Sequence, residues 1–339
     1  MQVSLYHDAS ATEKGASALR RFSNLALSAL ISTILLIMVG SIVRVTGNGL
    51  GCPDWPLCHG RAVPPFLLSA WVEFIHRLFG AAVVIQIAAL IYLSWRWYKP
   101  DKWMYRTAIF ASIVLAIQVA LGGIHVIYEL PRWTGWIHTG VAMMVAGAVA
   151  VWVAISRTGT RNLGARTANL FEGTRLPLWT AIAAGASYIL MLTGSLVTRT
   201  GASLVCPDFP ACGLETVPSN LQTIVLIQMV HRLSAFVVAF AIVLTLWHLL
   251  RASGRDRGIQ LVSWILIGLL TLQFALGISN VLLALPMWSR VLHLGTAATI
   301  WIFLVILSTT LTRGADQTVT STVTMSSGAT PDMQGSGTG

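Results

Sequence analysis

The sequence predicts an all-α polytopic membrane protein whose eight transmembrane helices form two parallel four-helix-bundle repeats. Of its 339 residues, 55% are hydrophobic and only 10% are charged, and the mean hydropathy is +0.73. Such a composition is far from that of a soluble globular protein. A bilayer-spanning helix needs about 20 apolar residues, and runs of that length recur at 24–46, 71–94, 105–128, 134–156, 176–198, 222–249, 260–284 and 290–312.

An internal repeat divides the eight predicted spans into two groups of four. Motifs of the first half return in the second half in the same order and at nearly constant spacing, which chance does not produce. Because each group has an even number of spans, both enter the membrane from the same side and form a parallel repeat. The matched motifs are Cys52-Pro-Asp-Trp-Pro-Leu-Cys58 with Cys206-Pro-Asp-Phe-Pro-Ala-Cys212, His76-Arg-Leu with His231-Arg-Leu, and Leu130-Pro-Arg-Trp with Leu285-Pro-Met-Trp.

The basic residues predict the orientation of the chain. The net charge is +10, and most of the 22 lysines and arginines fall on segments that are cytoplasmic if the N-terminus is cytoplasmic. The positive-inside rule therefore places both termini in the cytoplasm and the cysteine loops outside the cell membrane. This placement accounts for the net positive charge, so nucleic-acid binding is not needed to explain it. The first apolar run follows a polar segment and is long enough to span, so we expect a retained helix, not a cleaved signal peptide.

The same features predict the domain boundaries. The two repeats cover 24–157 and 176–313, and a polar, arginine-rich linker joins them at 158–175. We expect a cytoplasmic tail at 1–23. The C-terminal segment 314–339 is rich in Ser, Thr and Gly without apolar periodicity, so we expect it to be disordered.

Four histidines near the outer ends of spans are candidate haem ligands. Each repeat supplies two of them, on two different helices and at similar depth. Six-coordinate haem iron needs two axial ligands, so one haem per repeat follows. A single histidine in a span is more often a hydrogen-bonded packing residue, but four that obey the repeat disfavour that explanation. The pairs are His76 with His138 and His231 with His293.

One position separates the two predicted haem sites chemically. Glu73 lies three residues before His76, on the same helix face, whereas the second half has Gln228 at the equivalent position. Glutamine keeps the size and hydrogen-bonding capacity but cannot move a proton. We therefore predict a catalytic haem site in the first repeat and an electron-transfer haem in the second. A structural salt bridge of Glu73 to a nearby arginine is the alternative.

The four cysteines form two C-x5-C pairs in predicted outer loops. An even count in an oxidising location suggests disulfides, Cys52 with Cys58 and Cys206 with Cys212. A four-cysteine metal site and a redox role for the pair beside Glu73 remain alternatives.

Three further side chains are less specific. Arg77 and Arg232 follow two of the histidines and are candidates for haem propionate binding, with snorkelling to lipid headgroups as the alternative. His125 breaks the repeat, because its counterpart is Asn280. We do not predict it to be a ligand.

Together these motifs resemble the haem A synthase family, in its bacterial eight-helix form with cysteine pairs in both halves. The residues that carry the resemblance are Glu73-Phe-Ile-His76-Arg77, Trp136-Ile-His138-Thr-Gly, both C-x5-C loops, His231 and His293, and it extends over roughly 24–312. It implies oxidation of the C8 methyl group of haem O to a formyl group, which gives the haem A of cytochrome oxidase.

The resemblance also implies roles for individual residues and partners. His76 and His138 would hold the substrate, haem O, with Glu73 needed for turnover, and His231 and His293 would hold a haem b that passes electrons. A methyl group hydroxylated twice gives a geminal diol that loses water. The expected partners are the lipid bilayer, haem O, the haem O synthase that supplies it and an electron-transfer partner, and homo-oligomer formation stays open.

Three rival functions would each explain part of this pattern. A membrane b-type di-haem cytochrome that only relays electrons would explain the histidines but not the contrast between Glu73 and Gln228. A transporter with parallel repeats would lack a Soret band. A carboxylate di-iron enzyme needs more than the one Glu-x-x-His pair found here.

Overall fold

A computed structural model describes residues 2–161, 174–210, 212, 219–254 and 256–327. Eight long helices dominate it, and the described part contains no strand beyond a single bridge between Cys58 and Arg61. Two short 3₁₀ helices, Ala202–Leu204 and Ser219–Leu221, lie between the fifth and sixth helices. The long helices are α1 (Gln2–Val45), α2 (Leu68–Trp97), α3 (Lys102–Ile127), α4 (Arg132–Arg161), α5 (Leu176–Thr200), α6 (Gln222–Ala252), α7 (Arg257–Leu282) and α8 (Met287–Ser327).

All eight helices are long and apolar enough to cross a membrane. Each coincides with one of the predicted spans to within two residues or encloses it, so the predicted fold class is confirmed and the chain is a multi-pass membrane protein. Consecutive spans cross in opposite directions, so the connections α1–α2, α3–α4, α5–α6 and α7–α8 share one end of the bundle. We call this the cysteine end, because both cysteine loops lie there.

Matching residues shape equivalent turns in the two halves. At the end opposite the cysteines, the Asp101 carboxylate accepts hydrogen bonds from the first backbone N–H groups of α3, and Asp256 does the same for α7. Such N-caps satisfy N–H donors that have no partner within the helix. At the cysteine end, Leu130 and Leu285 adopt left-handed φ angles of 61° and 63° directly before the prolines that open α4 and α8. These correspondences agree with an internal repeat.

The centre of the bundle is formed by α4 and α8. In an apolar 18-residue stretch of each, 72% and 50% of the residues are buried, a larger share than in the corresponding stretch of any other of the eight helices. Helix α4 packs on α1 and α3 of its own half and on α5 and α8 of the other half, and α8 also contacts α1. The two four-helix units are therefore joined through an apolar interface, in which Trp301 packs over Gly147.

Two helices extend beyond the predicted boundaries. Helix α1 begins at Gln2, within the predicted tail. Helix α8 runs to Ser327, past the expected start of the disordered tail at 314. The segment 315–327 contains neither glycine nor proline, so no strong helix breaker interrupts it. Most of the predicted linker, 162–173, and the last residues, 328–339, lie outside the described part of the chain.

Candidate functional site

Two of the predicted haem ligands lie against glycines of a neighbouring helix. The imidazole of His76, on α2, packs on Gly40 of α1, and that of His231, on α6, packs on Gly194 of α5. A Cβ atom added to either glycine would lie 2.9 Å from the Cε1 atom of the ring. A methyl group does not fit at that distance, so glycine at both positions is what allows the ring to approach the neighbouring helix.

The other two histidines repeat the arrangement on α4 and α8. The ring of His138 faces Gly122 of α3, and that of His293 faces Gly277 of α7, with hypothetical Cβ atoms 3.6 and 3.3 Å from Cε1. Each half thus places two imidazoles on its second and fourth helices, against glycines of its first and third. This is the arrangement that the repeat predicts for two ligands of one haem.

Conserved geometry between the halves also includes a glutamine next to each fourth-helix histidine. The Nε2 atom of Gln118 lies 3.1 Å from Nε2 of His138, and that of Gln273 lies 3.3 Å from Nε2 of His293. The Nδ1 atoms of both rings and the Oε1 atoms of both glutamines are buried without a hydrogen-bond partner. The contact between the glutamine side chain and Nε2 is therefore what positions each of these two imidazoles.

Thr193 fixes the orientation of His231. Its hydroxyl donates to the Leu190 carbonyl at 2.8 Å, so it accepts a hydrogen bond from Nδ1–H of His231, also at 2.8 Å. The Nε2 atom of His231 then carries the free lone pair. In the first half Val39 stands at the equivalent position, and the Nδ1 atom of His76 is buried without a hydrogen-bond partner.

A cavity of about 250 Å³ separates the two histidines of the second half. Both His231 and His293 line it, together with apolar and aromatic side chains such as Phe236 and Phe274. An apolar cavity with two opposed imidazoles fits a flat, largely hydrophobic macrocycle with two axial ligand positions. The residues present therefore fit a haem.

Glu73 lies at the junction between α2 and the first cysteine loop. The residue is only 3% exposed. Its carboxylate accepts a hydrogen bond from the backbone N–H of Cys52 at 2.8 Å and forms an ion pair with Arg77 at 2.5 Å. In the second half, the Gln228 amide makes a single long contact, 3.4 Å to the Ser203 carbonyl, and its Oε1 atom is buried without a partner. The two halves differ most in chemistry at this position.

Arg77 and Arg232 contact the cysteine loops. Arg77 donates to the carbonyls of Cys52, Asp54 and Leu57 at 2.7–2.8 Å. Arg232 makes the equivalent contacts with Cys206 and Asp208 of the second loop and donates to the carbonyl of Pro210 as well. Their Nη groups thus hold the loops over the ends of α2 and α6. The predicted contact with haem propionates stays a prediction.

Both cysteine pairs form intraloop disulfides. The Cα–Cα distances are 4.6 Å for Cys52 and Cys58 and 5.1 Å for Cys206 and Cys212. No cysteine is free, so a four-cysteine metal site does not form. The first disulfide lies next to Glu73, because the backbone of Cys52 contacts that carboxylate.

His125 lies beside the first-half site. Its ring stacks on that of His138 with centroids 6.3 Å apart and planes at 12°. Its Nδ1 atom lies 2.6 Å from the Thr134 hydroxyl, which donates to the Pro131 carbonyl, so the proton is on Nδ1. Asn280, the counterpart of His125, lines the cavity of the second half.

Comparison with known proteins identifies the family. A model of the cytochrome oxidase assembly protein family matches residues 23–73 and 66–305, which is most of the chain. The chain belongs to this family. Membership confirms the resemblance that the histidine, glutamate and cysteine motifs carry.

Individual members of the family are similar over nearly their full length. The heme A synthase of Lysinibacillus sphaericus is 29% identical over 274 residues, which is 79% of this chain and 88% of that protein. The heme A synthase of Bacillus cereus strain AH187 is 29% identical over 273 residues, which is 79% of this chain and 86% of that protein. The heme A synthase of Bacillus mycoides is 27% identical over 303 residues, which is 87% of this chain and 95% of that protein.

The sequence did not reveal several side chains that the structure places at the two histidine sites. Gln118 and Gln273 were visible as repeated polar residues in apolar spans, and that repetition was the available signal. Thr193 has no counterpart hydroxyl in the first half, so the repeat did not reveal it. Three arginines of the second-half cavity break the repeat and gave no signal.

Proposed function

We propose that this protein is a haem A synthase, which oxidises the C8 methyl group of haem O to a formyl group. The observation that carries the proposal is the buried Glu73 carboxylate beside His76, set against Gln228 beside His231 in an otherwise matching arrangement. Membership of the cytochrome oxidase assembly protein family supports it, as do relatives named heme A synthase.

The second half is proposed to bind haem b through His231 and His293. When bound, haem b supplies one-electron redox chemistry that accepts electrons from the first site. The residues of the chain provide two ring nitrogens, an apolar cavity and, through Thr193, a fixed orientation of one ring. Outer-shell hydrogen bonds of this kind orient ligands and tune the metal.

The first half is proposed to hold haem O through His76 and His138, with Glu73 as the catalytic residue. With water as the oxygen source, each of two successive hydroxylations adds one oxygen atom to the methyl carbon and releases two electrons and two protons. The geminal diol that results loses water to give the formyl group. A carboxylate close to the reacting carbon stabilises positive charge that develops there or orients water. Arg77 and the N–H of Cys52 fix the position of this carboxylate.

We propose that the protein resides in the cell membrane with both termini cytoplasmic and the cysteine end outside. The arginine-rich connections support this orientation. Haem O would come from a haem O synthase, and electrons would leave to an electron-transfer partner. A homo-oligomer is compatible with the exposed apolar surface of the helices, which the bilayer also covers.

The first test uses the full chain expressed with a source of haem O and purified in detergent. Bound haems are extracted and identified by chromatography and mass spectrometry. We expect wild type to yield haem A and haem b, and Glu73→Gln to accumulate haem O or its hydroxylated intermediate while it keeps haem b. Retained haem b shows that the variant is folded.

A matched control changes the equivalent position of the second half. Gln228→Glu is expected to yield haem A like wild type, because the reaction depends on the carboxylate beside His76. If wild type and Glu73→Gln both yield haem b alone, the proposal is contradicted. That result would favour a di-haem cytochrome that relays electrons.

A further inference from the structure

Three arginines from three helices meet at the second-half cavity. Arg44 of α1, Arg199 of α5 and Arg290 of α8 line it, and none of the cavity-lining residues is an aspartate or glutamate. Their three positive charges lie around one cavity and repel one another. The cavity thus combines an apolar body with a concentration of positive charge.

The charges of this trio are not balanced within the described part of the protein. The two ion pairs found there are Glu73 with Arg77 and Asp101 with Arg313, and neither involves the trio. The Nε atom of Arg199 is buried without a hydrogen-bond partner. Like charges gathered in a partly apolar site are costly unless an anion joins them, so the site has the properties of an anion-binding pocket.

Arg232 also lines the cavity, but its Nη groups donate to three carbonyls of the second cysteine loop. The hydrogen-bonding groups of Arg232 are therefore already used to hold the second cysteine loop. The trio, in contrast, has guanidinium donors free of ion pairs.

The trio breaks the internal repeat at every position. The first-half counterparts of Arg199 and Arg290 are Val45 and Gly135, and the second-half counterpart of Arg44 is Thr198. Gly135 has a direct role, because the guanidinium of Arg199 occupies the space that a Cβ atom there would fill. The trio is therefore an addition to the repeat, and within it Arg199 joins the second-half cavity to α4 of the first half.

We propose that Arg44, Arg199 and Arg290 bind the propionate carboxylates of the haem in the second half, and that this trio makes that haem a permanent resident. Arginine forms short, bidentate, charge-assisted hydrogen bonds with carboxylates. The first half lacks arginines at the equivalent positions, which suits a site whose substrate must enter and whose product must leave. This inference rests on the proposed function of the two sites.

The test measures how tightly haem b is held, not turnover. Arg199→Gln/Arg290→Gln is purified as the full chain, and the transfer of haem b to excess apomyoglobin is timed. We expect transfer at least about tenfold faster than in wild type, since each lost charge-assisted contact is worth about that factor or more. The reduction potential of haem b should fall. Nearby positive charge disfavours the oxidised haem, which carries one more positive charge than the reduced haem, so removal of that charge favours the oxidised form.

The initial absorption spectrum should stay that of a low-spin, bis-imidazole haem, because His231 and His293 are unchanged. Arg132→Gln is the matched control, since Arg132 is an exposed arginine at the same end of the bundle and does not line the cavity. It should match wild type in transfer rate and potential.

Wild-type rate and potential in the double variant would overturn the inference while leaving the proposed function intact. If the double variant does not assemble, Arg44→Thr, which introduces the residue of the other repeat, decides in the same way: faster transfer supports the inference, and an unchanged rate overturns it. Failure of the proposed function is distinct, because wild type would then contain no haem A.

Discussion

Gly40 lies directly beneath the imidazole of His76, so that a Cβ atom at residue 40 would be 2.9 Å from Cε1 of the ring. The same distance separates the equivalent position of Gly194 from His231. A contact between two residues of neighbouring helices is thus reproduced in both halves. It fixes how closely each histidine-bearing helix approaches the first helix of its half.

Alanine at either glycine is expected to disturb one haem site and spare the other. Gly40→Ala should lower the recovery of haem O and haem A but leave haem b, and Gly194→Ala should do the reverse, because the added methyl group displaces only the adjacent ring. Haem extraction and chromatography measure both. Gly80→Ala is the control, since no atom lies within 4 Å of its Cβ position; equal loss from both sites would argue against separate roles.

Removal of Arg77 is expected to destabilise the first cysteine loop strongly. Arg77→Ala deletes three contacts with loop carbonyls and leaves the buried Glu73 carboxylate without its ion-pair partner. Breaking one partner of a buried pair costs about 3–5 kcal/mol. The thermal stability of the purified protein measures the effect.

A double-mutant cycle isolates the ion pair between these two residues. In the Glu73→Gln background, Arg77→Ala should cost clearly less than in wild type, because no charge is left unpaired. Additive effects would show that the pair contributes little and that the loop carbonyls account for the loss.

Loop stability at the cysteine end should depend on pH through Asp54. The backbone N–H of Gly60, and then that of His59, hold the pKa of this carboxyl below its ordinary value. A group whose folded pKa is lowered stabilises the fold above its unfolded pKa, and the contribution disappears as the pH falls through the folded pKa. Hydrogen exchange at Gly60 should therefore show protection that weakens in acid.

Asp54→Asn supplies the control for this effect. The variant should lose the acid-dependent part of the protection while the intrinsic pH dependence of exchange remains. Protection that still weakens in acid to the wild-type extent would assign the effect to another group.

The Thr193 hydroxyl is expected to tune the second haem. Thr193→Val removes the hydrogen bond from Nδ1 of His231 and installs the residue that the first half has at Val39. A histidine that donates this bond is a more basic ligand and favours the oxidised metal, so its loss should raise the reduction potential of haem b. A redox titration measures it, with Thr271→Val as the control, because Thr271 is exposed and does not line the cavity; an unchanged or lower potential would contradict the assignment.

The repeat made a large part of the site predictable. A ligand that occurs at matching positions of two halves, such as His138 and His293, stands out in a single sequence because an isolated polar residue in an apolar run is costly. The same comparison isolated Glu73 against Gln228. Residues that break the repeat, such as Arg44 and Thr193, carried no such signal.

The sequence by itself determined the eight helices, because apolar runs of membrane length have few other stable structures in a bilayer. The repeat also singled out the four histidines and the contrast between Glu73 and Gln228. Only the tertiary structure decided how those side chains are used. Arg44 belongs to the first half by sequence but lines the second-half cavity, because α1 packs against α8. Arg77 contacts loop carbonyls because the disulfide-closed loop lies over the end of α2. Contacts of this kind depend on packing between distant segments, which local periodicity does not encode.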